Sequence, residues 1–184
     1  MKKIMFNDRY GLTQAVLEGR KTMTRRIAKG KPQYMIGEWV AIAQSYRSLY
    51  DEIAKAKGVF DIEDKRWWYD IYLKTNGRRD LLPGYRNKMF VRAEFMRHRV
   101  VITGVRLQNL QDISDDDCMR EGIMEGEFMN TRDRYYYDSV GDVANHITFP
   151  TPRKAYSHLI DKICGKGTWE SNPLVFVYEF TLID

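Results

Sequence analysis

The chain has 184 residues, of which 43% are hydrophobic and 13% aromatic, enough for one domain with a sizeable core; wholesale disorder is excluded. Lys and Arg outnumber Asp and Glu by 30 to 25, and the net charge of +5 is compatible with a polyanionic partner without requiring one. No apolar run approaches the ~18 residues that a membrane span needs, so no membrane partner is expected.

The amino terminus, Met1-Lys2-Lys3-Ile4-Met5-Phe6-Asn7-Asp8, starts positively, but Asn7, Asp8 and Arg9 interrupt the apolar stretch of a signal peptide. Cys118 and Cys164 have no metal-ligand spacing, so a reduced, cytoplasmic chain with two incidental thiols is expected. The first predicted helix runs from about Tyr10 to Glu18, with Gly19 as its stop. A polar, basic loop is expected from Arg20 to Gln33, followed by a buried strand at Trp39–Ala43. From Ser45 to Lys88 the pattern weakens. A helix is expected near Leu49–Lys57, Arg66–Leu73 fits either element, and Asn76-Gly77 and Pro83-Gly84 mark turns.

Strands are then expected at Met89–Glu94 and Arg99–Arg106. Ser114 is the natural N-cap of a short helix, Asp117 its capping-box acid, and Gly122 its stop after Glu121. A second polar excursion, Gly126–Pro150, contains Tyr135-Tyr136-Tyr137. Pro152 opens an amphipathic helix whose stripe is Ala155, Leu159 and Ile163 with Tyr156 and Ile160. The last strand follows Asn172-Pro173, with Leu174, Phe176, Tyr178, Phe180 and Leu182 sharing one face. Strands and helices lack regular βαβ alternation, so the expected class is α+β with a curved or barrel-like mixed sheet. One domain over 1–184 is expected, with insertions at about 45–88 and 126–150.

The densest chemistry lies in Gly19-Arg20-Lys21-Thr22-Met23-Thr24-Arg25-Arg26, where four cations and two hydroxyls fall within eight residues. Arginine forks bind phosphate bidentately and threonine hydroxyls add directional contacts, although a solvated charge run has the same composition. The stretch G-R-K-T-M-T-R-R resembles the signature of the ASCH domain, a branch of the PUA-like superfamily. Gly37-Glu38 before Val40-Ala41-Ile42, the strand from Arg99 to Leu110, Cys118-Met119-Arg120-Glu121-Gly122, and Trp169 to Phe180 resemble further segments of that family, in the same order. The resemblance implies a PUA-like small mixed β-barrel with flanking helices and two insertions, its cleft lined by the basic loop. RNA, a nucleoside or a nucleotide is the implied partner, with no cofactor and no metal.

Some compact members of that family are amidohydrolases acting on N4-acetylcytidine through a Lys, a Thr and a Glu, which fall here on Lys21, Thr24 and Glu121. A threonine hydroxyl needs a base to take its proton, and a lysine serves as one only if burial or neighbouring cations lower its pKa. Glu121 would then protonate the leaving amine. In a helix or turn Lys21 and Thr24 share a side, whereas a flat strand separates them. The plainer roles are phosphate binding for Lys21, a turn cap for Thr24 and an exposed last-turn carboxylate for Glu121. Arg20, Arg25 and Arg26 are the expected nucleic-acid contacts, joined by Arg92, which shares its predicted strand face with Glu94.

Other signals are weaker. Gly165-Lys166-Gly167-Thr168 resembles the end of a phosphate loop, but Ile160 stands where the first glycine is needed. His98, His146 and His158 show no metal spacing. Trp67-Trp68-Tyr69 suits either packing of the insertion or base stacking.

Overall fold

The structure, a computed structural model, describes residues 1–55, 78–127, 132–138 and 147–183. Arg66–Leu73, Asn76-Gly77, Trp67-Trp68-Tyr69 and His146 lie outside the described residues. The class is α+β, with parallel and antiparallel strand pairs, and the chain falls into two compact units.

The first unit comprises Met1–Met5 and Val40–Arg99. Here β1 (Lys3–Ile4) runs parallel to β3 (Trp39–Ile42, within this unit from Val40), and α2 (Tyr46–Lys55) follows. Ala41, Ala43, Tyr46, Leu49, Val91 and Met96 form a buried cluster, so the described part of the weakly patterned segment does contribute a core. Met89–Glu94 is not a strand but two 3-10 turns, Lys88–Phe90 and Ala93–Phe95. Two local bonds explain the difference. Asn87 caps the first turn by accepting from Met89 N, and the Lys3 ammonium gathers the carbonyls of Lys88, Met89 and Val91. Three carbonyls turned toward one cation cannot alternate along a strand.

The second unit comprises Phe6–Trp39 and Val100–Asp184. It contains α1 (Leu12–Leu17), β2 (Met23–Ile27), most of β4 (Arg99–Asn109), α3 (Asp115–Arg120), β5 (Met124–Glu125), β6 (Tyr135–Tyr136), α4 (Pro152–Cys164), α5 (Thr168–Ser171) and β7 (Leu174–Ile183). Strands β4, β7 and β2 lie side by side in that order. Where a loop was expected, Met23–Ile27 pairs antiparallel with β7, from Met23↔Glu179 to Ile27↔Val175. The reason is that both faces of its first half are covered: Met23 and Arg25 are buried on one side and Thr24 on the other, and the charge of Arg25 is neutralised by Asp117 and Glu121.

Caps set the helix positions that matter for the site. Ser114 Oγ accepts from Asp117 N at 3.1 Å and starts α3, and Gly122, at φ +108°, ends it. Thr151 caps α4, which buries Ala155, Tyr156, Leu159 and Ile160 and packs against α3. Burial of Leu159 and Ile160 is worth roughly 1.5–3 kcal/mol each. Ile163, expected in the same stripe, is 36% exposed because it lies in the last turn. On β7 both faces are covered through the middle: Val175 and Val177 are as buried as Tyr178 and Phe180, while Leu174 is exposed.

Candidate functional site

Helix α3 delivers Glu121 to the start of β2 within the second unit. Lys21 Nζ donates to Glu121 Oε2 at 2.6 Å and to the Glu121 carbonyl at 2.7 Å. The lysine main chain is fixed as well, its N–H donating to Ala15 O, while Thr22 N donates to Arg120 O. Gly122 permits this approach. A Cβ there would stand 3.1 Å from Leu12 Cδ2 and 3.8 Å from Lys21 Cδ, at a φ that side chains rarely adopt.

Arg25 completes the buried centre. Its Nη1 lies 3.1 Å from Glu121 Oε1 and its Nη2 2.7 Å from Asp117 Oδ2, with Met23 Sδ also in reach of Nη1. The Arg25 side chain is wholly buried, and Lys21 and Glu121 are 2% and 4% exposed. Outward from it, Asp117, Arg106, Glu179 and Arg120 close a ring. Arg106 Nη2 bonds Asp117 at 2.8 Å and its Nη1 pairs with Glu179, Arg120 Nη2 lies 3.1 Å from Glu179 Oε2, and Arg120 Nη1 lies 3.6 Å from Asp117 Oδ1. Four cations thus interleave with three carboxylates. The outer arginines are 40% exposed, so the ring contributes less than the buried pairs.

Burial pushes the Lys21 ammonium below the usual lysine range; Glu121 opposes the shift, and Arg26 and Arg25 add to it. Burial also drives the Tyr156 hydroxyl well above the usual tyrosine range; the Glu121 charge adds to that shift and Arg25 opposes it. Tyr156 therefore stays protonated beside the carboxylate. The buried Cys118 thiol is pushed up to about 12, chiefly by burial, and is no nucleophile at neutral pH. Among the described residues no group of His, Cys, Asp and Glu is placed to hold a metal ion.

The predicted residues separate clearly. Lys21 and Glu121 are joined, and Glu121 is not an exposed last-turn carboxylate. Thr24 lies on β2 opposite Tyr178, on the strand face turned away from Met23 and Arg25. Among the described residues no hydrogen bond joins it to Lys21 or Glu121. The cations do not form one phosphate-binding edge. Arg25 is enclosed by carboxylates, Arg20 is paired with Glu18 in solvent, and Arg26 is half-buried on the Thr24 face. Arg92 belongs to the first unit, where it pairs with Glu94 at 3.6 Å, both largely exposed.

Asp117, Arg106, Glu179, Arg120 and Tyr156 were not anticipated as members of this network. One signal for Glu179 was available: it is a carboxylate inside the apolar run of β7. Asp117 has the position of a capping-box acid, yet its carboxylate is committed to Arg25, Arg106 and Arg120.

No family model, no curated protein and no solved structure matches the chain in comparison. No helix among the described residues is long and apolar enough to cross a membrane.

Proposed function

We propose that the chain is an RNA- or nucleotide-binding protein of ASCH type, built on a PUA-like small barrel, that removes an acyl group from a modified cytidine. The observation that carries this reading is the buried meeting of Lys21 and Glu121 at 2.6 Å, brought together from two motifs 100 positions apart. A buried amine whose pKa is lowered, held against a carboxyl group, is a proton-transfer pair.

In this reading Thr24 Oγ attacks the acyl carbon, and its proton passes to Lys21 as Lys21 hands one to Glu121 along their 2.6 Å bond. Glu121 gives the proton received from Lys21 to the cytidine nitrogen as the C–N bond breaks. Water then hydrolyses the Thr24 ester, releasing the carboxylic acid and restoring the hydroxyl. Tyr156 helps by remaining a neutral neighbour that adds no competing charge to the carboxyl group.

The strand alternation that turns Thr24 away from Met23 and Arg25 favours a second reading, a non-catalytic RNA-binding module in which the Lys21–Glu121 pair is structural. Incubating the protein with N4-acylated cytidines and following the free base chromatographically separates the two. Time-dependent release of cytidine and acid supports the hydrolase. Binding of RNA without release from any acylated cytidine leaves only the module.

A further inference from the structure

The strands that carry the ion network have a second face. Arg26 stands opposite Phe176 in the β2–β7 pairing. Leu110 N donates to Pro173 O at 3.0 Å, and Gly104 faces Glu179, so β4 runs antiparallel to β7 with Leu107 opposite Phe176. Leu107, Phe176 and Arg26 therefore form one row across three strands, on the side away from Arg25, Arg106 and Glu179.

The row is open at one end: Leu107 is 54% exposed, its neighbours Leu174 (50%), Thr103 and Asn109 are exposed, and Phe176 and Arg26 are half-buried. On this face Thr24, Tyr178 and Phe180 are buried, and the strand positions that remain exposed or half-buried, Thr103, Val105, Leu107 and Asn109 on β4, Leu174, Phe176 and Leu182 on β7 and Arg26 on β2, include no carboxylate. The carboxylates of these strands and of α3 that enter ion pairs lie on the other face, matched to arginines. Glu38 stands at the edge of this face: its carbonyl accepts from Ile102 N on β4, its carboxylate accepts from Met35 N, and its charge acts on Tyr34, which packs against Tyr178.

A basic loop edges the same row. Ala28 N donates to Leu174 O, and Gln33 N donates to the Tyr178 hydroxyl, so residues 28–33 arch from one side of Phe176 to the other. Lys29, Gly30 and Lys31 are exposed at its tip, and Gly30, at φ +71°, makes the bend. Among the described residues Lys29 and Lys31 enter no ion pair, unlike the cations of the buried network.

We infer that this face is a docking surface for single-stranded RNA, with bases laid on Phe176, Leu107 and Leu174 and phosphates met by Lys29 and Lys31. Same-face residues on a strand are about 6.7 Å apart, which gives successive unstacked bases separate apolar platforms. Exposed strand positions without a carboxylate, edged by Lys29 and Lys31, complement a polyanion, and aromatic stacking holds bases without sequence preference. The inference deepens the RNA-binding part of the proposed function and rests on that part alone.

The test is fluorescence anisotropy of a labelled short oligouridine across a salt series, using wild type, Lys29→Ala/Lys31→Ala, and Leu107→Glu. All three positions are exposed, so circular dichroism should show an unchanged fold. The double lysine variant should flatten the log–log salt slope by about 1.4, at roughly 0.7 per phosphate contact. Leu107→Glu, which adds a carboxylate to the row, should weaken binding about ten-fold or more. Unchanged binding in both variants overturns the inference, as does a preference for double-stranded RNA. So does self-association of the wild type that Leu107→Glu abolishes, because the face would then dock a second copy. Turnover of a free acylated cytidine with no oligouridine binding overturns this inference and leaves the hydrolase standing. Oligouridine binding without turnover does the reverse.

Discussion

Lys21 and Glu121 lie 100 positions apart in sequence and meet at 2.6 Å, both buried, with Arg25 on the second carboxylate oxygen. Removing Glu121 leaves the buried Lys21 without its carboxylate, and removing Lys21 leaves the buried Glu121 carboxylate with Arg25 alone. Lys21→Met or Glu121→Gln should each destabilise the protein by roughly 3–5 kcal/mol, and the double variant by less than the sum of the two. Urea unfolding monitored by circular dichroism measures this. Losses below about 1 kcal/mol in both single variants would show that the pair contributes little to the fold.

Gly122 supplies the backbone geometry for that meeting. Gly122→Ala forces a side chain into φ +108° and against Leu12 Cδ2, so a loss of about 1–3 kcal/mol is expected. The change should also loosen the hold of Glu121 on Lys21. Thermal unfolding gives the magnitude, and an unchanged midpoint would contradict the tight approach at this turn.

Much of this was legible in the sequence, for reasons that differ by element. The Ser114 cap, the Gly122 stop and the Pro152 helix start are local signals, and each stands where the residues place it. Strand β2 has the composition of a basic loop, because Glu121 and Asp117, which neutralise Arg25, come from a distant segment. Met89–Glu94 has the composition of a strand, but a lysine from β1 captures its carbonyls. The joining of Lys21 to Glu121 followed motif order. The ring of Arg106, Glu179 and Arg120 did not, because strand register decides which charged residues meet.

Acid should weaken the outer ring in a defined direction. Burial works to raise the Glu179 pKa, but bonds from Arg120 and Arg106 outweigh it and hold the carboxyl below its ordinary 4.5. A lowered carboxylate adds stability that is fully present above 4.5 and is lost as pH falls through the folded value. Glu179→Gln should therefore flatten the fall in stability below pH 4.5. Parallel curves for variant and wild type would rule out Glu179 as a contributor.

At the alkaline end the sign reverses. The Lys21 pKa is lowered in the fold, so between that value and the unfolded value of 10.5 the unfolded chain binds the extra proton. The contribution of Lys21 to stability must rise with pH across that window. Lys21→Met should remove the rise, and denaturant titrations between neutral pH and pH 10 would detect it. A rise that persists in the variant would assign it to another group.

The most direct test of the central claim is turnover of N4-acetylcytidine by wild type and by Thr24→Val, with kcat and KM measured separately. The substitution keeps the β-branched shape on β2 and removes only the hydroxyl. The account predicts cytidine release by the wild type, and in the variant a kcat lower by orders of magnitude with KM near its original value. Full kcat in a folded Thr24→Val protein would contradict Thr24 as nucleophile, and no release by the wild type from any acylated cytidine would contradict the hydrolase itself.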